Sequence, residues 1–100
     1  MSTPYQPRYT DSFRECVNKL GRKRKFVEGL VRLICADPYV QSHPLGISGD
    51  VDLTGFRSRH FERTSKYVIV FQVREEEHEV VFVAVGLHDD MYSREWSTSA

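Results

Sequence analysis

The chain contains no glycine-rich phosphate loop, no HExxH and no CxxC, so nucleotide hydrolysis and metal catalysis have no motif behind them. It has no apolar run near the roughly 18 residues a membrane span needs, and its start, MSTPYQPRYT, lacks the apolar core of a signal peptide. Cysteine is scarce. Cys16 and Cys35 are too few for a disulfide framework or a zinc site, and both fall among apolar neighbours at helical spacing. They are expected to be buried free thiols, which fits a reducing cytoplasm. There is no repeat, no low-complexity segment and no net charge. A chain without excess charge has little long-range attraction for a polyanion.

What is present describes one globular domain over residues 1–100, with 40% hydrophobic and 28% charged residues. The zero net charge conceals an asymmetry. Residues 1–49 hold eight Lys or Arg against four Asp or Glu, and residues 50–100 hold six against ten. The basic excess peaks in GRKRKF, where Arg22, Lys23, Arg24 and Lys25 form either a solvated turn or a patch facing an anionic partner.

PYQPRYT, with two prolines and two tyrosines, reads as a short edge strand. Asp11 or Ser12 caps a helix in which Phe13, Cys16, Val17 and Leu20 form one apolar stripe, and Gly21 stops it. A second helix starts in the basic run, buries Phe26, Val27, Leu30, Val31, Leu33 and Ile34, and ends before Asp37-Pro38. The two helices should form an antiparallel hairpin. PYVQSHPLGISGD is a loop with apolar anchors at Tyr39, Val40, Leu45 and Ile47. In LTGFRSRHFER, alternation puts Phe56, Ser58 and His60 on one face and Arg57, Arg59 and Phe61 on the other. KYVIVFQV and EVVFVAV are apolar on both faces, hence central strands, and REEEH joins them as a charged hairpin with His78 on its surface. The predicted fold class is α+β, in the order β-α-α-β-β-β. Its helix hairpin packs on one face of a mainly antiparallel, twisted sheet.

In sequence, RYTDSFRECVNKL, SHPL, GFRSRHFE, YVIVF and GLHDDMY resemble the RelE/ParE toxin superfamily of bacterial toxin–antitoxin modules, with the YafQ-like branch nearest. The resemblance runs from about Arg8 to Ser93. It implies a metal-independent endoribonuclease, without cofactor, that cuts messenger RNA on the ribosome in the bacterial cytoplasm and is held inactive by a cognate antitoxin. By this resemblance His43 of SHPL, His60 of RSRHF and His88 of GLHDD stand where the branch has its site histidines, and Tyr92 stands at its terminal aromatic. The branch's Asp-Trp pair is Lys66-Tyr67 here, its aspartate before His-Pro-Leu is Ser42, and Ser58 fills a place where an acid is common.

The chemistry asks for these residue types. Cleaving RNA without a metal needs a base for the 2′-hydroxyl, an acid for the 5′-oxygen and a cation for the phosphorane. Histidine near neutrality serves as either acid or base. His60 and His88 are the expected pair, with His43 a third member or a loop anchor. Lys66, Arg59 and Arg57 are the candidate phosphate contacts. Tyr92 is expected to stack on a base. Arg22 to Lys25 are the expected antitoxin or ribosome contacts. Two other readings belong to the same resemblance: a ParE-like gyrase poison that does no chemistry, and an inactive toxin-fold interaction module.

Overall fold

The computed structural model describes residues 3–61 and 64–98. Along the chain run β1 (Gln6–Tyr9), α1 (Asp11–Lys19), a 3-10 turn (Gly21–Phe26) and α2 (Val27–Ala36). Three two-residue strands follow: β2 (His43–Pro44), β3 (Ile47–Ser48) and β4 (Val51–Asp52). The chain continues with β5 (Arg57–Phe61), β6 (Thr64–Arg74), β7 (Glu79–Leu87) and a single helical turn, α3 (His88–Met91). The main sheet has the order β1-β7-β6-β5-β2 and is antiparallel except where β1 lies parallel to β7. The fold is therefore α+β with a mainly antiparallel sheet, and Pro7 sits in an edge strand, where a missing N–H is tolerated.

Helix α1 begins at Asp11, two residues before the Phe13 start that its sequence suggests. Thr10, not Asp11 or Ser12, is the cap: its Oγ1 accepts from the Phe13 amide and donates to the Phe82 carbonyl, each at 3.1 Å. Thr10 is buried, so its hydroxyl must find protein partners, and in doing so it ties α1 to β7. Gly21, at φ +61°, ends the helix in the left-handed region. The basic run then forms a 3-10 turn with no buried residue instead of opening the second α-helix, which starts at Val27. Four adjacent cations offer no apolar stripe to bury, so a short, tighter helix suffices. Phe26 and Leu33, expected in the apolar face, are about half exposed.

Each face of the sheet carries its own core. Phe13, Val27, Leu30, Val31, Ile34 and Cys35 from the helices pack on Phe61, Ile69, Phe71, Val80, Phe82 and Val85. On the other face Val68, Val70, Val81, Val83 and Ala84 are covered by Leu53 and Phe56, with Leu45, Val51, Met91, Tyr92 and Trp96 around them. This is why β6 and β7 are apolar throughout. The free thiols fit this packing: Cys35 is buried, and burial pushes its thiol up to about 11, while Cys16 is only half-buried.

Two readings of the sequence are corrected by tertiary contacts. Of the loop's supposed anchors only Leu45 packs on a core. Ile47 is exposed, and Tyr39 lies outside, donating its hydroxyl to Glu75 and facing the Arg57 guanidinium at 5.0 Å. His78 is not plain surface. Its ring stacks on Tyr5 at 4.0 Å and its Nε2 donates to the Thr3 carbonyl at 2.6 Å, so it clasps the N-terminal strand.

Candidate functional site

The second face of the sheet ends in a cluster of three imidazoles. His43 of β2 is paired with Ser58 of β5, and His60 lies two residues further along β5 on the same face. His60 is opposite Val68, and Val68 is opposite Gly86, two residues before His88. A register shift between Val70 and Phe71 decides which way His88 points. Phe71 pairs with Phe82 but Val70 pairs with Ala84, so Val83 and Ala84 both lie in the second core. Strict alternation from Val81 and Val83 puts Gly86 and His88 on the helix side; the extra residue of this bulge reverses that and turns them towards His60.

Gly86 matters for a second reason. A Cβ on it would stand 3.1 Å from the Met91 methyl, so the absent side chain leaves room for α3 to fold back onto the sheet end. There the ring centroids of His43 and His60 are 5.5 Å apart, those of His60 and His88 are 5.7 Å, and those of His88 and Tyr92 are 4.3 Å. The Tyr92 hydroxyl donates to Ser58 Oγ at 2.6 Å, and Ser58 Oγ lies 3.3 Å from His43 Nε2. The five side chains thus form a closed circuit that runs through the buried Ser58. Beside it an open groove of about 600 Å³ is lined by His60, Lys66, Leu87, His88, Asp89 and Asp90.

The electrostatics distinguish the imidazoles. Burial, reinforced by His43 and His88, holds His60 below the usual histidine range. His88 Nδ1 lies 3.1 Å from the Asp89 carboxylate, so with its proton there the imidazole leaves Nε2 for other partners. Burial raises the Tyr92 phenol, with the Ser58 hydrogen bond acting in the opposite sense.

The structure brings His43, His60, His88, Tyr92 and Lys66 together. It does not bring Arg57 and Arg59 to them. Alternation sends both to the helix side of β5: Arg57 donates to the Ser42 hydroxyl and carbonyl at 3.0 and 3.1 Å, and the buried Arg59 donates to Gln41 at 3.1 Å. They brace the loop that carries His43. Tyr92 is half-buried with its hydroxyl engaged and its ring edge on His88, so it supports the histidines rather than standing free. Of the basic turn, Arg22, Arg24 and Lys25 are exposed, while Lys23 lies over the Tyr67 ring at 4.8 Å. The sequence reading placed Ser58 on the His60 face without a role in the site, and gave Asp89 none. Their signals were a lone hydroxyl on the His60 face of a strand and a carboxylate adjacent to His88.

Among the described residues no group of three or more His, Cys, Asp or Glu is arranged to hold a metal ion, and no helix is long and apolar enough to cross a membrane. No protein-family model and no curated protein sequence matches the chain. The architecture does match solved structures: it is the RelE-like fold of toxin–antitoxin proteins. A chain of the toxin–antitoxin complex RelBE2 from Mycobacterium tuberculosis is similar with a TM-score of 0.70 at 23% identity, over 86% of this chain and 100% of that one. The isolated E. coli RelE toxin gives 0.64 at 20% identity over 83% of each chain. A metal-bound toxin from Helicobacter pylori gives 0.58 at 18% identity, over 88% of this chain and 99% of its own.

Proposed function

We propose that this protein is the toxin of a toxin–antitoxin module, of the YafQ-like kind, and that it acts in the bacterial cytoplasm as an endoribonuclease on messenger RNA held by the ribosome. The observation that carries the reading is the convergence of His43, His60 and His88, with ring centroids 5.5 and 5.7 Å apart, beside an open groove containing Lys66. In the reaction His60, kept neutral by burial, takes the proton of the 2′-hydroxyl. The 2′-oxygen attacks phosphorus, the bond to the 5′-oxygen breaks, and His88 protonates that oxygen from Nε2. The products are a 2′,3′-cyclic phosphate and a free 5′-hydroxyl. Lys66 faces the charge that builds on the phosphorane. The chain's own groups supply base, acid and cation, so the reaction as drawn has no step assigned to a metal.

Ribosome dependence follows from charge. A chain with zero net charge gathers free RNA weakly, so the ribosome must present the message. The matching solved structures include toxin–antitoxin complexes, which supports a cognate antitoxin as partner. Arg22, Arg24 and Lys25 offer it, or the ribosome, an exposed basic turn.

The test is induced expression followed by mapping of messenger RNA ends, with His60→Ala and His88→Ala alongside. New ends with 5′-hydroxyls that vanish in both variants support the reading. Growth arrest without cleavage, together with gyrase inhibition, points to a ParE-like poison. Neither arrest nor cleavage points to an inactive module. Brisk cleavage of naked RNA at physiological salt contradicts the ribosome dependence. Replacing Arg22, Arg24 and Lys25 with serine without effect on antitoxin or ribosome binding removes the basic turn from both roles.

A further inference from the structure

The reaction above gives Ser58 no task, yet Ser58 is the point through which the site is connected. Its side chain is buried in β5 with no route to solvent, and it stands between two elements that approach β5 from different sides. One is β2, which brings His43 opposite it; the other is the α3 turn, which brings Tyr92 over it. A serine hydroxyl has one proton and two acceptor lone pairs. The Tyr92 phenol, which burial keeps protonated at neutral pH, donates to Ser58 Oγ at 2.6 Å. Among the described residues His43 Nε2, 3.3 Å away, is the one other side-chain partner of Ser58 Oγ, so the buried Ser58 proton is assigned to it, with that nitrogen accepting. His43 therefore carries its proton on Nδ1. The same bond to Tyr92 fixes α3: the Tyr92 amide donates to the His88 carbonyl at 3.2 Å and its ring packs edge-on against the His88 ring.

We propose that Ser58 is a positioning residue of this site, a buried hydroxyl that joins Tyr92 to His43, holds His43 in its Nδ1–H tautomer and pins the turn that sets His88 against His60. Its consequence for rate rests on the ribonuclease reading; the tautomer and the anchoring do not. Losing the hydroxyl frees His43 to adopt the Nε2–H form that neutral histidine prefers in water. It also releases the tyrosine that orients α3. A reacting group displaced by about 1 Å loses roughly 100-fold in rate, so a loss of roughly 10- to 100-fold is expected.

The experiment combines nitrogen-15 spectra of the imidazoles with single-turnover cleavage of a ribosome-bound message, on the full chain. Wild type should show His43 protonated at Nδ1. Ser58→Ala should show the Nε2–H form and the reduced rate, and Ser58→Thr, which keeps the hydroxyl, should restore both. Tyr92→Phe preserves the ring but removes the donor that directs the Ser58 proton to His43, so it should loosen the His43 tautomer preference and lose rate to a similar extent. A wild-type His43 in the Nε2–H form overturns the inference, without any variant having to fold. So does a Ser58→Ala protein with wild-type tautomer and rate. If wild type shows no cleavage, the ribonuclease reading fails instead, and the His43 spectra still decide the role of Ser58.

Discussion

Replacing His60 with alanine separates chemistry from structure at a single position. The ring is half-buried between His43 and His88, and among the described residues it makes no hydrogen bond. Its removal strands no partner, so the cost to folding is lost packing alone, about 0.5–1.5 kcal/mol. For a domain of this size that lowers the melting temperature by roughly 2–12 °C. A general base contributes roughly 10²- to 10⁴-fold, or about 3–5 kcal/mol of barrier, several times the folding term. Thermal melts and single-turnover cleavage on ribosomes, run on one preparation, compare the two. A rate within about threefold of wild type refutes the assignment of His60 as base. The same variant tests the direction of the His60 shift. Burial lowers its folded pKa beneath the unfolded 6.5, so the unfolded chain binds the proton first. The contribution to stability is complete above about 6.5 and is lost as pH falls through the lower folded value. His60→Ala should therefore weaken the decline of stability between pH 6.5 and the acid range; an unchanged slope in urea titrations contradicts the burial argument.

Other substitutions probe how the site is held. Thr10→Ala removes the α1 cap and the tie to the Phe82 carbonyl together, and should cost about 1–2 kcal/mol in urea melts with cleavage unchanged in the folded fraction. His78→Ala loses the Tyr5 stack and the bond to the Thr3 carbonyl, and should destabilise by about 1 kcal/mol, loosening hydrogen exchange in β1 while sparing catalysis. Gly86→Ala places a methyl 3.1 Å from the end of the Met91 side chain, which is flexible enough to yield. Stability should move by less than about 1 kcal/mol and cleavage should change little, because the Met91 side chain takes up the shift before it reaches the turn carrying His88; a marked loss of either contradicts this.

Local pattern determined much of this protein. Period-two alternation in RSRHF already assigned Ser58 and His60 to one face and Arg57 and Arg59 to the other, and the doubly apolar KYVIVFQV and EVVFVAV marked central strands covered on both sides. These features depend on neighbours along the chain, where side-chain direction repeats with the backbone. Tertiary structure decided the rest. His43, His60 and His88 meet only through the pairing of β2 with β5 and of β6 with β7, and the bulge opposite Val70 and Phe71 sets which face His88 takes. Alternation cannot foresee one extra residue. Thr10 as the tie from α1 to β7, His78 as clasp and Ser58 as hub owe their roles to partners some 15 to 75 residues away in sequence. A buried hydroxyl or ring is defined by what surrounds it, and that is settled by register and packing rather than by the residues beside it.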